Sequence, residues 1–416
     1  MLPAVSGTGR GITGRTTRRD FLRAIAALAL ASRTGRAGAA PASGRGSRPN
    51  VLLILADDLG QECLSAYGGS SYETPHLDRL AAGGMVFRHG FSTPLCGPSR
   101  IELLTGRYIR GYREWGELDP GHEVTFGQLL RDAGYATAVA GKWQLCRFDL
   151  PENADHPQRC GFQESSLWTW ILNGETPSKY WSPSVWRNGS LAPDLEGAYG
   201  PDVFCDFLID FIRRSRREPF LAFYPMVLPH GPFTPTPHSG LPARLLGVAP
   251  QRVRNQASSL YFPDHLRYLD HLVGRLLATL EESGLLENTL VLFTSDNGTD
   301  RRVQSRVDDR EVRGGKGRLS EPGTLVPLFA SWPGQIQPGT VCTDLVDLSD
   351  FLPTLAAVAR AEIPDDLKLD GRSFLPQLLG RPGDPRDWVY LSNWVYPNGP
   401  FQVAARGRRF KLHGDG

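Results

Sequence analysis

Apolar residues along this chain fall into two patterns, unbroken runs and runs at helical spacing, and the two alternate from residue 51 onward. Val51-Leu52-Leu53-Ile54-Leu55-Ala56 has no polar alternation, which predicts a strand buried on both faces. A second such run, Leu290-Val291-Leu292-Phe293-Thr294, follows the stretch 265–283, where Leu266, Leu269, Leu272, Val273, Leu276, Leu277 and Leu280 recur as one face of a helix. Further strands are predicted at 136–140, 220–227 and 325–330, and helices at 125–133 and 202–214. Helix alternating with buried strand predicts an α/β fold, a large, mostly parallel or mixed sheet sandwiched by helices. From about residue 364 the segments shorten and end in strand-like stretches at 401–405 and 409–412. The expected division is a catalytic domain over 50–363 and the start of a small C-terminal α+β domain over 364–416. That last domain is expected to be incomplete, with an exposed sheet edge.

Composition changes the picture mainly at the start. The first forty residues carry Arg10, Arg15, Arg18, Arg19, Arg23, Arg33 and Arg36 against the single acid Asp20. Removing that excess of six positive charges from the formal net charge of +2 leaves the remainder near −4. The basicity therefore belongs to a leader, and no nucleic-acid surface is expected. Thr17-Arg18-Arg19-Asp20-Phe21-Leu22 precedes an apolar run from Ala24 to Ala31, and Ala37-Gly38-Ala39 offers a cleavage site. The order resembles a twin-arginine signal peptide over 1–40, joined by a linker at 41–49. The apolar run is too short to span a bilayer, so no stable membrane insertion is expected. The expected partner is the twin-arginine translocation machinery, and the expected location is periplasmic or extracellular.

Six cysteines, Cys63, Cys96, Cys146, Cys160, Cys205 and Cys342, form no C-x-x-C pair, which argues against a zinc ribbon or a thioredoxin-like motif. Cys146 and Cys160 are close enough in sequence for a disulfide in an oxidising compartment, though spacing alone does not fix the bond.

Candidate chemistry gathers where the buried runs end. The first leads into Asp57-Asp58 and the later one into Asp296-Asn297-Gly298. Ligands in open α/β folds collect at the carboxyl ends of strands. Three carboxylates and an amide oxygen suit a hard divalent cation, calcium before magnesium, whereas zinc favours histidine or thiolate. In isolation an Asp-Asp pair or an Asp-Asn-Gly tripeptide is more often a solvated turn. A further segment runs Thr93-Pro94-Leu95-Cys96-Gly97-Pro98-Ser99-Arg100, with Gly106 downstream. Pro98 suits the first turn of a helix and Gly106 its end, which puts Cys96 just before the N-terminus, where free backbone N–H groups attract an anion. Arg100 adds a positive charge one turn on.

Cys96-Gly97-Pro98-Ser99-Arg100 with Leu104-Thr105-Gly106-Arg107 resembles the signature of the type I, formylglycine-dependent sulfatases of the alkaline phosphatase superfamily. The likeness continues through Arg48-Pro49-Asn50-Val51, Thr74-Pro75-His76-Leu77-Asp78, Ala140-Gly141-Lys142-Trp143, Pro229-His230-Gly231-Pro232, Ser295-Asp296-Asn297-Gly298 and Gly314-Gly315-Lys316-Gly317. The resemblance implies an alkaline phosphatase-like fold and oxidation of Cys96 to formylglycine by a formylglycine-generating enzyme. It further implies one Ca2+ held by Asp57, Asp58, Asp296, Asn297 and the modified Cys96. Arg100 and Lys142 would steady the aldehyde hydrate that attacks sulfur, while His230 and Lys316 would hold the sulfate and help the alcohol leave. A metal and several cations stabilise charge that spreads as the S–O bond breaks.

One departure falls beside Lys142. Where the family commonly has histidine, this chain has Gln144, which donates and accepts hydrogen bonds but takes no proton at physiological pH. His156 is an alternative proton carrier by chemistry alone. The aromatic residues Trp168, Trp170, Tyr180, Trp181 and Trp186 either pack an irregular insert or stack on a sugar ring. With export, they favour a sulfated saccharide over a small aryl sulfate. Two other readings stay open: a phosphate or phosphonate ester hydrolase using the same nucleophile, and a catalytically silent carbohydrate-binding protein on this fold.

Overall fold

Each strand of the sequence pattern appears in the computed structural model, which describes residues 48–109, 117–240, 259–394 and 400–414. The segment expected to be a signal peptide, and nearly all of the expected linker, lie outside the described residues. The chain divides into residues 1–47 and the unit Arg48–Gly416, and only the second is considered below.

Strand β1 (Asn50–Ala56) is buried at every position and lies at the centre of an eleven-stranded sheet. It pairs in parallel with β7 (Phe220–Pro225) on one side and β8 (Thr289–Ser295) on the other. Beyond β7 follow β3 (Ala136–Gly141) and β4 (Glu164–Trp168), both parallel, then the short antiparallel β5 (Val185–Arg187) and β6 (Ser190–Leu191). Beyond β8 lie β12 (Leu328–Ser331), β2 (Met85–Phe91) and β13 (Thr340–Asp347), with β11 (Leu325–Val326) also on β2. A hairpin of β9 (Gln304–Val307) and β10 (Arg310–Arg313) stands apart. The predicted strand at 325–330 is in fact broken into β11 and β12 at Pro327, which has no N–H to continue a ladder.

Alternation along β1 assigns the two faces. Leu52, Ile54 and Ala56 join a core with α4 (Gly200–Arg214) and α5 (Phe262–Glu282), which also holds Leu77 and Leu80 of α1 (Pro75–Ala82). Val51, Leu53 and Leu55 join the opposite core with α2 (Cys96–Thr105), α3 (Phe126–Asp132) and α6 (Phe351–Ala359). A strand covered on both faces has no polar side to show, which is why these segments read as unbroken apolar runs. Helix α5 begins three residues before the stretch predicted for it, at Phe262.

The C-terminal segment forms a three-stranded antiparallel sheet, β14 (Trp388–Trp394), β15 (Phe401–Gly407) and β16 (Lys411–Gly414). Strand β16 starts two residues later than the pattern at 409–412 predicts. Val389, Leu391 and Ala404 pack with Phe91, Leu319 and Leu345. No described helix is long and apolar enough to cross a membrane.

Candidate active site

Four adjacent parallel strands, β8, β1, β7 and β3, deliver the site from their carboxyl ends. Asp57 and Asp58 follow β1, Asp296 and Asn297 follow β8, Lys142 follows β3, and His230 lies in the loop after β7. Gly141 makes the turn out of β3 possible. Its φ is +123°, and a Cβ there would stand 2.0 Å from the Pro225 carbonyl oxygen, the same oxygen that accepts from Lys142 N at 2.6 Å. Asp58 and Gln144 also adopt positive φ, 70° and 58°, conformations that non-glycine residues hold only where surroundings enforce them.

Cys96 is the first residue of α2 rather than the residue before it; Leu95 caps the helix without a side-chain bond. Pro98 therefore sits within the first turn, and Gly106 ends the helix at φ +68° as its composition predicts. The turn ahead is latched by Thr93 Oγ1 against Ser99 Oγ at 2.6 Å. Gly317 N donates to the Pro94 carbonyl at 2.9 Å, tying the Lys316 loop to the turn that carries Cys96.

All ten predicted site residues come together. Lys142 Nζ reaches both Asp57 oxygens at 2.8 and 2.9 Å, and Lys316 Nζ both Asp58 oxygens at 2.6 and 2.7 Å. Arg100 donates through Nε and Nη2 to Asp296 Oδ2 at 3.1 and 2.6 Å, and through Nη1 to the Lys142 carbonyl at 2.7 Å. The Cys96 thiol donates to Gln144 Oε1 at 3.4 Å. Cys96, Asp57 and Asp296 each offer a ligand atom within 4.8 Å of the others, as do Asp57, Asp58 and His230. Asn297 Nδ2 donates to Asp58 Oδ1 at 2.8 Å, while its Oδ1 is buried without a hydrogen-bond partner.

Electrostatics follow from this packing. Burial pushes the Asp57 carboxyl up, but Lys142, His230, Lys179 and Arg100 together hold it well below the usual range. Burial, then the neighbouring Asp57, pushes Asp296 up to about 6. Burial works against the Lys316 ammonium, yet Asp58 and then Cys96 hold its pKa above the ordinary lysine value. The donor set is oxygen-rich and includes an amide oxygen with nothing to bind, which fits a hard cation such as calcium.

Two expectations need correction, and one pair of alternatives is narrowed. His156 is not at the site: its Nδ1 accepts from Trp143 Nε1 at 3.1 Å and its Nε2 meets the Leu118 carbonyl at 2.7 Å, so both nitrogens are used. Burial brings its pKa down to about 4. Cys146 and Cys160 are free thiols, both buried in the α2-side core, and Cys160 Sγ lies 3.6 Å from His156 Nδ1. The aromatic insert is largely packing, since every indole N–H in it binds a backbone carbonyl: Trp168 that of Pro177, Trp170 that of Cys146, Trp181 that of Pro235 and Trp186 that of Ala154.

The residue that sequence reasoning missed is Lys179. It is 4% exposed, with Nζ 2.8 Å from His230 Nδ1 and 3.9 Å from Asp57 Oδ2. Burial lowers its pKa to about 7, Lys142 and Lys316 adding to the shift against Asp57 and Asp58. It sits in a loop with no motif around it; the one available signal was its place between the aromatic residues that bury it.

Comparison with known proteins fixes the class. The family profile described as Sulfatase matches residues 49–361, and one described as N-sulphoglucosamine sulphohydrolase, C-terminal, matches residues 316–412. The chain belongs to the sulfatase family and is a sulfuric ester hydrolase on a mixed α/β, alkaline phosphatase-like fold. It is similar to arylsulfatase A of Homo sapiens, 35% identical over 93% of this chain and 77% of that one. It is also similar to N-acetylgalactosamine-6-sulfatase of Homo sapiens, 31% identical over 81% of this chain and 67% of that one. A solved structure described as a complex with its substrate D-glucosamine-2-N,6-O-disulfate superposes with a TM-score of 0.70 at 24% identity, covering 89% of each chain.

Proposed function

We propose that the chain hydrolyses the sulfate ester of a saccharide through a formylglycine made from Cys96, with one Ca2+ held by Asp57, Asp58, Asp296, Asn297 and the modified residue. The observation that carries this reading is the convergence of Cys96 with the Asp57 and Asp296 carboxylates at the start of α2, walled by Arg100, Lys142 and Lys316. The orphaned Asn297 Oδ1 supports the metal. Calcium would supply positive charge to the sulfate oxygens, and the hydrated aldehyde of formylglycine would supply the nucleophile toward sulfur.

The chain's own residues do the rest. Arg100, fixed on Asp296 and on the Lys142 carbonyl, holds a full positive charge beside residue 96 that needs no reorganisation during reaction. Lys142 and Lys316 bring two ammonium groups to the same space, matched to the spread charge of a sulfate ester. His230 Nε2 faces Asp58 Oδ2 at 3.7 Å and is the group placed to donate to the oxygen of the departing alcohol. Gln144 Oε1 accepts from residue 96, orienting it where the family commonly has a proton carrier.

A saccharide substrate is favoured by the name of one relative, N-acetylgalactosamine-6-sulfatase, and by the sugar bound in a structural neighbour, while the aromatic insert gives less support than its composition promised. The arginine-rich leader favours export through the twin-arginine machinery, and the Cys96 motif favours a formylglycine-generating enzyme as partner. The test is peptide mass analysis of the segment holding Cys96, in protein from its native host, joined to sulfate release from defined sulfated saccharides. The aldehyde and calcium-dependent release are expected. A wholly unmodified thiol overturns the mechanism, and turnover confined to aryl sulfates or to phosphonate esters overturns the substrate.

A further inference from the structure

The imidazole of His230 is pulled toward two different tautomers. The Gly231 carbonyl closes on Nδ1 and by itself favours a proton there. Lys179 Nζ meets the same nitrogen at 2.8 Å. In its charged form Lys179 has three N–H bonds and no lone pair, so at Nδ1 it donates; the imidazole nitrogen then accepts, and the single proton of the neutral ring sits on Nε2. Nε2 is the nitrogen that faces the carboxylates of the site, 3.7 Å from Asp58 Oδ2.

We propose that Lys179 is a positioning residue of the sulfatase reaction, which holds His230 in the Nε2–H tautomer and so aims a donor at the leaving oxygen. As the nucleophile made from Cys96 bonds to sulfur and the S–O bond to the alcohol breaks, the electron pair of that bond stays with the leaving oxygen, and the Nε2–H hydrogen bond stabilises it there. The lysine is built in rather than free to swing. Its ammonium lies 5.4 and 5.3 Å from the ring centroids of Trp168 and Tyr180. Tyr180 is itself fastened to the His230 loop, its hydroxyl donating to the Val227 carbonyl at 2.9 Å and meeting the His230 carbonyl. Burying an ammonium is costly unless its protons are used, and His230 uses one of them. This gives the aromatic insert a role: Trp168 and Tyr180 carry Lys179 to the active site.

The inference rests on the sulfatase reading, and its test separates the two. Sulfate release is measured with two esters, an activated aryl sulfate whose phenolate leaves unaided and a saccharide or alkyl sulfate whose alkoxide does not. Lys179→Met keeps the length of the side chain and removes the donor. It is expected to lower kcat/KM roughly 10²-fold on the saccharide ester, the lower range for lost acid assistance, and only slightly on the aryl ester. In a His230→Ala background the same substitution is expected to cost nothing further. Long-range 1H–15N correlation of the labelled histidines is expected to show His230 protonated at Nε2 in the native protein and no longer held there in Lys179→Met. Equal losses on both esters, or a native His230 protonated at Nδ1, overturn the role of Lys179. Release from neither ester by the native protein overturns the sulfatase reading instead, and the tautomer measurement still decides the role of Lys179.

Discussion

If Asp57, Asp58, Asp296 and Asn297 form a calcium site, calcium is measurable as stability before any substrate is known. A ligand that binds only the folded chain stabilises it by about 2.7 kcal/mol at a hundred times its Kd. One kcal/mol moves Tm by about 2–4 °C in domains of 150–250 residues, and less in larger ones, so a shift of about 5 °C is expected here. The assay is a thermal melt of chelator-treated protein with and without added calcium. Asn297→Ala is the sharpest perturbation, because Asn297 Oδ1 is buried with no other partner. Losing it leaves the metal-free fold short of the two Nδ2 bonds, to Asp58 Oδ1 and to the Gly298 carbonyl, while weakening calcium at least tenfold, about 1.4 kcal/mol. Roughly half the calcium shift then disappears at fixed concentration. Charge balance adds a second expectation. Three carboxylates already face Arg100, Lys142 and Lys316, so calcium leaves positive charge that an anion can neutralise. Added sulfate is therefore expected to enlarge the calcium shift, a coupling of about 1–3 kcal/mol. No shift at millimolar calcium, or an equal shift in Asn297→Ala, refutes the metal assignment.

Other consequences are as direct. Gly141→Ala places a Cβ 2.0 Å from the Pro225 oxygen at φ +123°, so a loss of at least about 2 kcal/mol is expected in urea denaturation, with activity falling as Lys142 is displaced. Gln144→His returns a proton carrier beside Cys96 at a φ of 58° that histidine tolerates, and is expected to raise kcat with KM little changed; a fall in kcat shows that the chain is adapted to glutamine. At the far end of α2, burial and then Asp347 push Asp350 up to about 7, and the same two causes hold Glu102 well above its ordinary range. The folded state thus keeps protons that the unfolded chain releases near pH 4, so this contribution to stability is full below about pH 4 and is lost as pH rises toward 7. Denaturation midpoints are expected to fall across that window, and Glu102→Gln to flatten the slope; an unchanged slope excludes Glu102 as a source.

Much of this was legible in the sequence because burial on both faces leaves a strong mark. The strands of 50–56 and 289–295 read as continuous apolar runs, and the oxygen ligands follow them directly. Strand β2 was missed because Arg88 and His89 interrupt it, exposed and half-buried residues that a β1-like strand would not carry. The strand at 325–330 read as unbroken because the apolar ring of Pro327 satisfies the hydrophobic pattern while its missing N–H breaks the ladder. The Trp168–Trp186 insert read either as packing or as a sugar platform because composition reports ring area and not where each N–H is bound. Lys179 was invisible for a related reason: its neighbours are specified by the fold of a loop, and no spacing along the chain records that its ammonium meets His230.

If Cys96 is oxidised to formylglycine, its burial puts that step in a race with folding. Cys96 is 2% exposed, and Gly97, Ser99 and Arg100 are buried beside it. The far wall arrives late in synthesis, since Arg100 and its partner Asp296 stand 196 residues apart. Translation at about 5–20 residues per second takes on the order of 10–40 s to cover that stretch. Any enzyme that oxidises Cys96 has this interval, and the time β8 then needs to close against β1, in which to reach an open chain. On that reading, substitutions that hasten closure are expected to leave a smaller active fraction, and those that delay it a larger one.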